Sequence, residues 1–173
     1  TGYEFVGWYD EEGNAVTNSM LGDERNILSY TATANATYIA RFQREQVTQT
    51  YKRQVKNGET WNDTDDDTVG TLSRYTHTTE YGSETGATAT AGEGYEFVGW
   101  YDEEGNAVTN SMLGDERNIL SYTATANATY IARFQKVKVT QTFNRQIEVD
   151  GTWKTTTEDK VGTLTHYTHT DVV

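Results

Sequence analysis

The chain has 173 residues, a formal net charge of −12, and neither cysteine nor proline. The missing cysteine excludes disulfides, thiolate nucleophiles and Cys-based zinc sites, and the missing proline excludes a polyproline stalk. The acidic balance has the wrong sign for phosphate-backbone binding, and no apolar run approaches the ~18 residues of a membrane span.

In chain order, the first segment, Gly2–Gln43, recurs without a single change as Gly94–Gln135, at an offset of 92 residues. The same offset continues with partial identity: VTQTYKRQ at Val47–Gln54 faces VTQTFNRQ at Val139–Gln146, Trp61 faces Trp153, and VGTLSRYTHT at Val69–Thr78 faces VGTLTHYTHT at Val161–Thr170. The chain therefore carries two copies of one unit, the second incomplete. Threonine, at 31 residues, is the compositional outlier, and its β-branch favours strands.

Val47–Val55 reads as a strand, with Val47, Tyr51 and Val55 on one side and Thr48, Thr50 and Lys52 on the other. Asn57-Gly58 follows as a hairpin signal, because both positions of a type I′ turn need positive φ. The second copy offers Asp150-Gly151, one residue later relative to its tryptophan, so the two hairpins are expected to differ by a bulge or a longer loop. Trp61 and Trp153 are expected to anchor these hairpins on the core.

Val69–Thr78 reads as strand. Its Leu72 and Tyr75 stand three apart and cannot share a face of a flat strand, which calls for a bulge or two covered faces. Thr79–Glu93 is polar and glycine-rich and reads as a loop. Tyr95–Tyr101 (YEFVGWY) is apolar on both parities, as in a strand covered on both faces. Asp102–Asn106 is a turn, Met112–Leu120 has the spacing of one or two helical turns, and Tyr122–Gln135 is strand-forming. The expected unit is mainly β (β-rich α+β), with about five short strands and at most one short helix.

These residues carry a resemblance. Val47-Thr-Gln-Thr-Tyr51, Gly94-Tyr-Glu-Phe-Val-Gly-Trp-Tyr-Asp102 and Ala128-Thr-Tyr-Ile-Ala-Arg-Phe134 together resemble the internalin-type B-repeat, in its divergent form, of bacterial surface proteins. The stretch Lys56–Glu93 departs from the common repeat in being longer and richer in Thr and Asp. The resemblance implies tandem β-grasp-like repeats that serve as stalk or adhesive modules rather than enzymes. It also implies a phase: a complete repeat at 44–135 (core 47–135), the C-terminal half of a repeat at 1–43, and the N-terminal half of the next at 136–173. Half-units would expose strand edges and apolar surface. The expectation is either a window on a longer array or head-to-tail pairing of neighbouring chains in a non-closing filament.

The acidic run Asn62-Asp-Thr-Asp-Asp-Asp67 offers alternate carboxylates, Asp63, Asp65 and Asp67, to a hard cation such as Ca²⁺. In the second copy only Asp159 persists of the three, and a solvated acidic loop is the preferred reading. The histidines are His77, His166 and His169. The latter two stand three apart on an expected strand, and so point to opposite faces, unlike zinc ligands. Asn35, Asn62 and Asn127 open glycosylation-type sequons, read as chance. The TxT pairs, such as Thr31/Thr33, Thr48/Thr50, Thr76/Thr78 and Thr88/Thr90, read as solvent faces of strands rather than ice-binding ranks. An internal ester from Thr48 or Thr50 with Gln49 is the remaining covalent option. No P-loop, HExxH, GxSxG or GxGxxG occurs, so no enzyme and no cofactor is expected.

The expected function is structural: a stalk, spacer or fibre shaft, extracellular, on a bacterial cell surface or in a secreted fibre. Its partners would be neighbouring repeats. The alternative is an adhesin repeat that binds a host glycoprotein or glycan through Trp61, Trp153, Tyr75 and Tyr167. Nucleic acid and membrane insertion are not expected.

Overall fold

The structure, a computed structural model, describes residues 1–165 and 167–172, the side chain of Val172 excepted. Among them fourteen strands follow in order: β1 (Tyr3–Tyr9), β2 (Ile39–Arg44), β3 (Gln46–Asn57), β4 (Thr60–Asp63), β5 (Gly70–Leu72), β6 (Thr76–Glu80), β7 (Ser83–Ala91), β8 (Tyr95–Tyr101), β9 (Ile119–Ala124), β10 (Ala128–Lys136), β11 (Lys138–Thr142), β12 (Arg145–Val149), β13 (Thr152–Thr156) and β14 (Thr168–Val172). Helical structure among the described residues is confined to three-residue 3-10 turns at Asn18–Met20, Asn110–Met112 and Asp159–Val161. The helical turns expected over Met112–Leu120 thus shrink to the first of these positions, and Ile119 already starts a strand.

β3 organises the centre. Its side chains alternate, with Val47, Gln49, Tyr51 and Arg53 buried and Thr48, Thr50, Lys52 and Gln54 on the opposite face. One edge of β3 runs parallel with β10 from Gln49 to Val55. The other edge is shared. β6 pairs antiparallel along Gln46–Thr50, and β4 along Gln54–Asn57. β8 closes the far side of β10. A second, three-stranded sheet, β5-β7-β9, covers one face. The core packed between them contains Tyr51, Val69, Leu72, Trp100, Leu120 and Phe134. The rings meet edge to face, Phe97–Phe134 at 5.7 Å and Tyr51–Trp100 at 6.2 Å, a preferred aromatic geometry.

Several local expectations change. Residues Thr79–Glu93 are not a loop: they hold the end of β6 and all of the nine-residue β7. That strand buries Thr85, Ala87 and Ala89, so its inward face is small rather than greasy. Between them, Gly86 has no room for a side chain, because a Cβ there would lie 1.8 Å from the Leu120 carbonyl oxygen of β9. The unit from β3 to β10 therefore has eight strands, not about five.

The Val69–Thr78 segment is likewise two strands in two different sheets. β5 takes Leu72 into the core, β6 pairs with β3, and Tyr75 at the crossover stays exposed. In YEFVGWY, the pairing with β10 slips between Phe97 and Gly99, leaving Val98 as the extra residue of a bulge. The bulge brings Phe97 and Trp100, three apart, to one core, 6.1 Å between centroids.

The two hairpins share one register instead of differing. Asn57 pairs with Thr60 across Gly58-Glu59, and Val149 pairs with Thr152 across Asp150-Gly151. What differs is the turn. Gly58 alone has positive φ (62°), the pattern of a II′ turn, whereas Asp150 (53°) and Gly151 (73°) both do, as type I′ requires. Asn57 is thus the last strand residue, not a turn residue. Trp153 does not anchor its hairpin: it is 65% exposed.

The two ends repeat parts of this body. β1 and β2 pair in the register of β8 and β10, with the same bulge between Phe5 and Gly7. β11 pairs with β14 as β3 does with β6, and β12 with β13 as β3 does with β4.

Candidate functional site

The two β3 partners leave a gap on their shared edge, at Tyr51–Arg53. The Tyr51 N–H donates to the Tyr75 carbonyl (2.9 Å) and the Thr64 N–H to the Arg53 carbonyl (3.1 Å), so backbone from both sides bridges the gap. Above it lies a shallow groove of about 430 Å³, lined by Thr50, Lys52, Asp63, Asp65, Tyr75 and Thr76. The structure therefore brings together Asp63, Asp65 and Tyr75 of the residues singled out by sequence. Trp61 is not among the groove residues.

Beneath the groove sits Arg53, its side chain 4% exposed. Its Nη1 donates to Asp67 Oδ1 at 2.7 Å and to the Gly70 carbonyl, and its guanidinium lies 5.1 Å from the Tyr75 ring centroid. Asp67 is thus committed to an arginine. Asp66 accepts from the Thr68 hydroxyl (2.7 Å) and N–H (2.9 Å), which hold its carboxyl below the usual range. Asp63 accepts from the Gln54 amide at 3.0 Å. Among the described residues no three carboxylate or imidazole groups converge to hold a metal. The arginine arrangement recurs: Arg145 Nη1 donates to Asp159 Oδ1 at 3.0 Å and to the Gly162 carbonyl, beside Tyr167. This accounts for the one acid of the run that both copies retain. A buried arginine facing an acid fourteen residues on, present twice at matching positions, was the available sequence signal.

A second buried polar cluster was missed because its members read as strand faces and turn. Tyr122 donates to Gln49 Oε1 (2.8 Å), the Tyr51 hydroxyl lies 3.2 Å from that of Tyr122, and Gln49 donates to the Ala126 carbonyl (2.8 Å). Burial, then the Tyr51 hydrogen bond, pushes the Tyr122 phenol well above its ordinary pKa of 10.0. Asn127, noted only as a sequon, accepts from the Thr48 N–H at 2.7 Å and so clamps β3 beside β10. The Gln49 amide is engaged by a phenol and a carbonyl, while Thr48 shares its hydroxyl with Thr78 at 2.9 Å. His77 Nδ1 meets the Thr85 hydroxyl at 2.8 Å, and His169 Nε2 meets Asp171 at 2.9 Å. His166 lies outside the described residues.

Trp61 forms the outer stack of the sheet. The Arg133 guanidinium sits 5.1 Å from its ring centroid and 4.0 Å from that of Tyr101, a cation–π sandwich. Trp153 and Tyr167 in the second copy are exposed.

Residues 63–138 match the family model of the divergent InlB B-repeat domain. The match covers the acidic turn, the second sheet and the GYEFVGWYD and ARF strands of the B-repeat resemblance read from the sequence. It begins after β3, although β3 is the strand on which β10 of the B-repeat segment pairs. No curated protein and no solved structure matches the chain. No helix among the described residues is long and apolar enough to cross a membrane.

Proposed function

We infer that the chain is a structural tandem-repeat module of an extracellular bacterial surface protein, serving as stalk, spacer or fibre shaft and not as an enzyme. The observation that carries this reading is repetition. The same 42 residues occur twice at an offset of 92, and both copies form one hairpin register with one bulge. The divergent B-repeat match points to a surface-protein repeat in the same direction. The proposed repeat runs over 44–135, with 1–43 and 136–173 as parts of its neighbours. Its first and last strands, β3 and β10, pair in parallel at the centre, each flanked by an antiparallel strand. This order favours the β-grasp-like assignment, with the β5-β7-β9 sheet lying where a helix would cover the face.

The test is electron microscopy of a polypeptide carrying several repeats. The shaft reading expects an extended particle with a constant axial spacing; compact, irregular particles would contradict it. A second reading, adhesion to a glycan, is favoured only by the groove beside the exposed Tyr75. A glycan array that lights up with the native chain and dims with Tyr75→Ala would support adhesion, and an array with no hits would reject it.

A further inference from the structure

Only Glu45 separates β2 from β3, and only Val137 separates β10 from β11, so each GYEFVGWYD hairpin runs into the following strand without a linker. At the first of these joins the two sides touch. The Glu45 N–H donates to the Gly2 carbonyl (3.0 Å), at the start of β1. The Glu45 carbonyl accepts the Tyr81 N–H (2.8 Å), just past the end of β6. The N–H and C=O of one strand residue point to the same edge, so β1 and β6 meet end to end along one edge of the chain that runs from β2 into β3.

Side chains fill the seam. Gly2 is buried, and a Cβ on it would clash with the Tyr81 ring. The Arg44 guanidinium lies 5.5 Å from the Tyr3 ring centroid, donates from Nη1 to the Tyr81 carbonyl (3.1 Å), and stands 3.6 Å from the Glu80 carboxylate. The turn that supplies Glu80 and Tyr81 is itself held to the central body, because the Gly82 N–H donates to the Ala124 carbonyl of β9 (2.7 Å).

We propose that the Glu80–Tyr81 turn is a docking element between repeats, which seats on the start of the preceding repeat's hairpin and fixes the angle between the two. Adjoining domains with a small shared surface move against each other by default. Here a ring packed on a glycine and an arginine held on both sides oppose that motion. The occupant of this surface is the neighbouring repeat of the same chain. The second join keeps the backbone bond, from the Val137 N–H to the Gly94 carbonyl at 2.9 Å, and Tyr95 stands where Tyr3 does. Lys136 replaces Arg44, however, and Val172 stands at the position of Glu80, paired with Lys138 as Glu80 is with Gln46. The ion pair is therefore lost there. Stiffness along the array is thus graded by residues at the joins, while the hairpin they seat on stays constant.

The proposal rests on the repeat reading above, and its test separates the two. The chain has no cysteine, so nitroxide labels at the exposed positions Glu11→Cys and Lys52→Cys report only the span across the first join. Double electron–electron resonance is expected to give one narrow distance peak. Tyr81→Ala and Arg44→Ala, each added to the labelled pair, are expected to lose that peak to a broad distribution. Arg44 lies on β2, outside the central body, so its variant leaves the urea midpoint of that body unmoved. A broad distribution in the parent would overturn the proposal, as would a peak that neither substitution broadens. Such a failure, with a multi-repeat array still extended in micrographs, would remove the docking and leave the shaft. A compact array would remove the shaft whatever the label distances gave.

Discussion

Residues 2–43 and 94–135 are one sequence in two settings, and the difference separates what the local chain decides from what its neighbours decide. The hairpin register, the bulge, the Asp-Asn turn and the three-residue 3-10 turn are the same in both. These features are set by short-range chemistry: Asp102 Oδ1 accepts the Asn106 N–H at 2.7 Å, as Asp10 does for Asn14 at 2.7 Å. What differs is everything that needs a partner strand. Ile119–Ala124 is β9 because β7 lies beside it, whereas the identical 27–32 forms no named strand. β10 spans nine residues beside β3, and its twin β2 spans six. Hairpin chemistry is local, and sheet extension and core burial are bought by tertiary contact.

The sharpest way to break this comparison is to delete the same ring twice. Phe134→Ala is expected to destabilise the central body by about 3–5 kcal/mol, because a fully buried aromatic leaves a cavity. Phe42→Ala, the same substitution in the same sequence, is expected to stay within about 0.5 kcal/mol in dilute urea titrations. Equal losses would mean that the two segments share one environment.

Next in size is the arginine beneath the groove. Arg53→Leu leaves the Gly70 carbonyl without its donor and is expected to cost the central body about 1–3 kcal/mol. Arg145→Leu, the counterpart in the open half, is expected to leave that transition unmoved. Both are read from urea midpoints at unchanged slope.

The buried phenol supplies a pH test. Below pH 10 the folded and unfolded chains both hold the Tyr122 proton. Above it the unfolded chain releases the proton, while the folded one, whose pKa is raised, keeps it. The stability of the central body is therefore expected to fall as pH rises past about 10. Tyr122→Phe is expected to flatten that fall. A profile with the same slope in both proteins would contradict the role given to burial.

The smallest effect concerns the turns. Gly58→Ala meets open space but forces a positive φ, and is expected to cost roughly 1–2 kcal/mol. Gly58→Asn should recover part of it, since asparagine tolerates that region. Thermal melts of the two variants decide this.

Much of the fold was legible because strand chemistry repeated itself: β3, β8 and β10 lie where VTQTYKRQV, YEFVGWY and TYIARF place them. β7 was not legible. SETGATATA carries no large apolar side chain, and its inward Thr85, Ala87 and Ala89 look like a polar linker until β9 approaches over Gly86. The buried polar residues were hidden for a related reason. Gln49 and Arg53 occupy inward positions of β3, where alternation leads one to expect apolar groups, and only their partners Tyr122 and Asp67 explain them. Of the candidate site, Asp63, Asp65 and Tyr75 meet at one groove, while Trp61 and Trp153 are parted by the presence or absence of an arginine above the ring.

The central claim is that this sequence completes its sheet only when a 47–91-type half meets a 94–135-type half. Amide hydrogen exchange on the intact chain tests it most directly, because 36–42 and 128–134 are chemically identical reporters. The account predicts strong protection of 128–134, which pairs with β3, and fast exchange of 36–42, which has no such partner among the described residues. Equal protection of the two segments in dilute solution would contradict it.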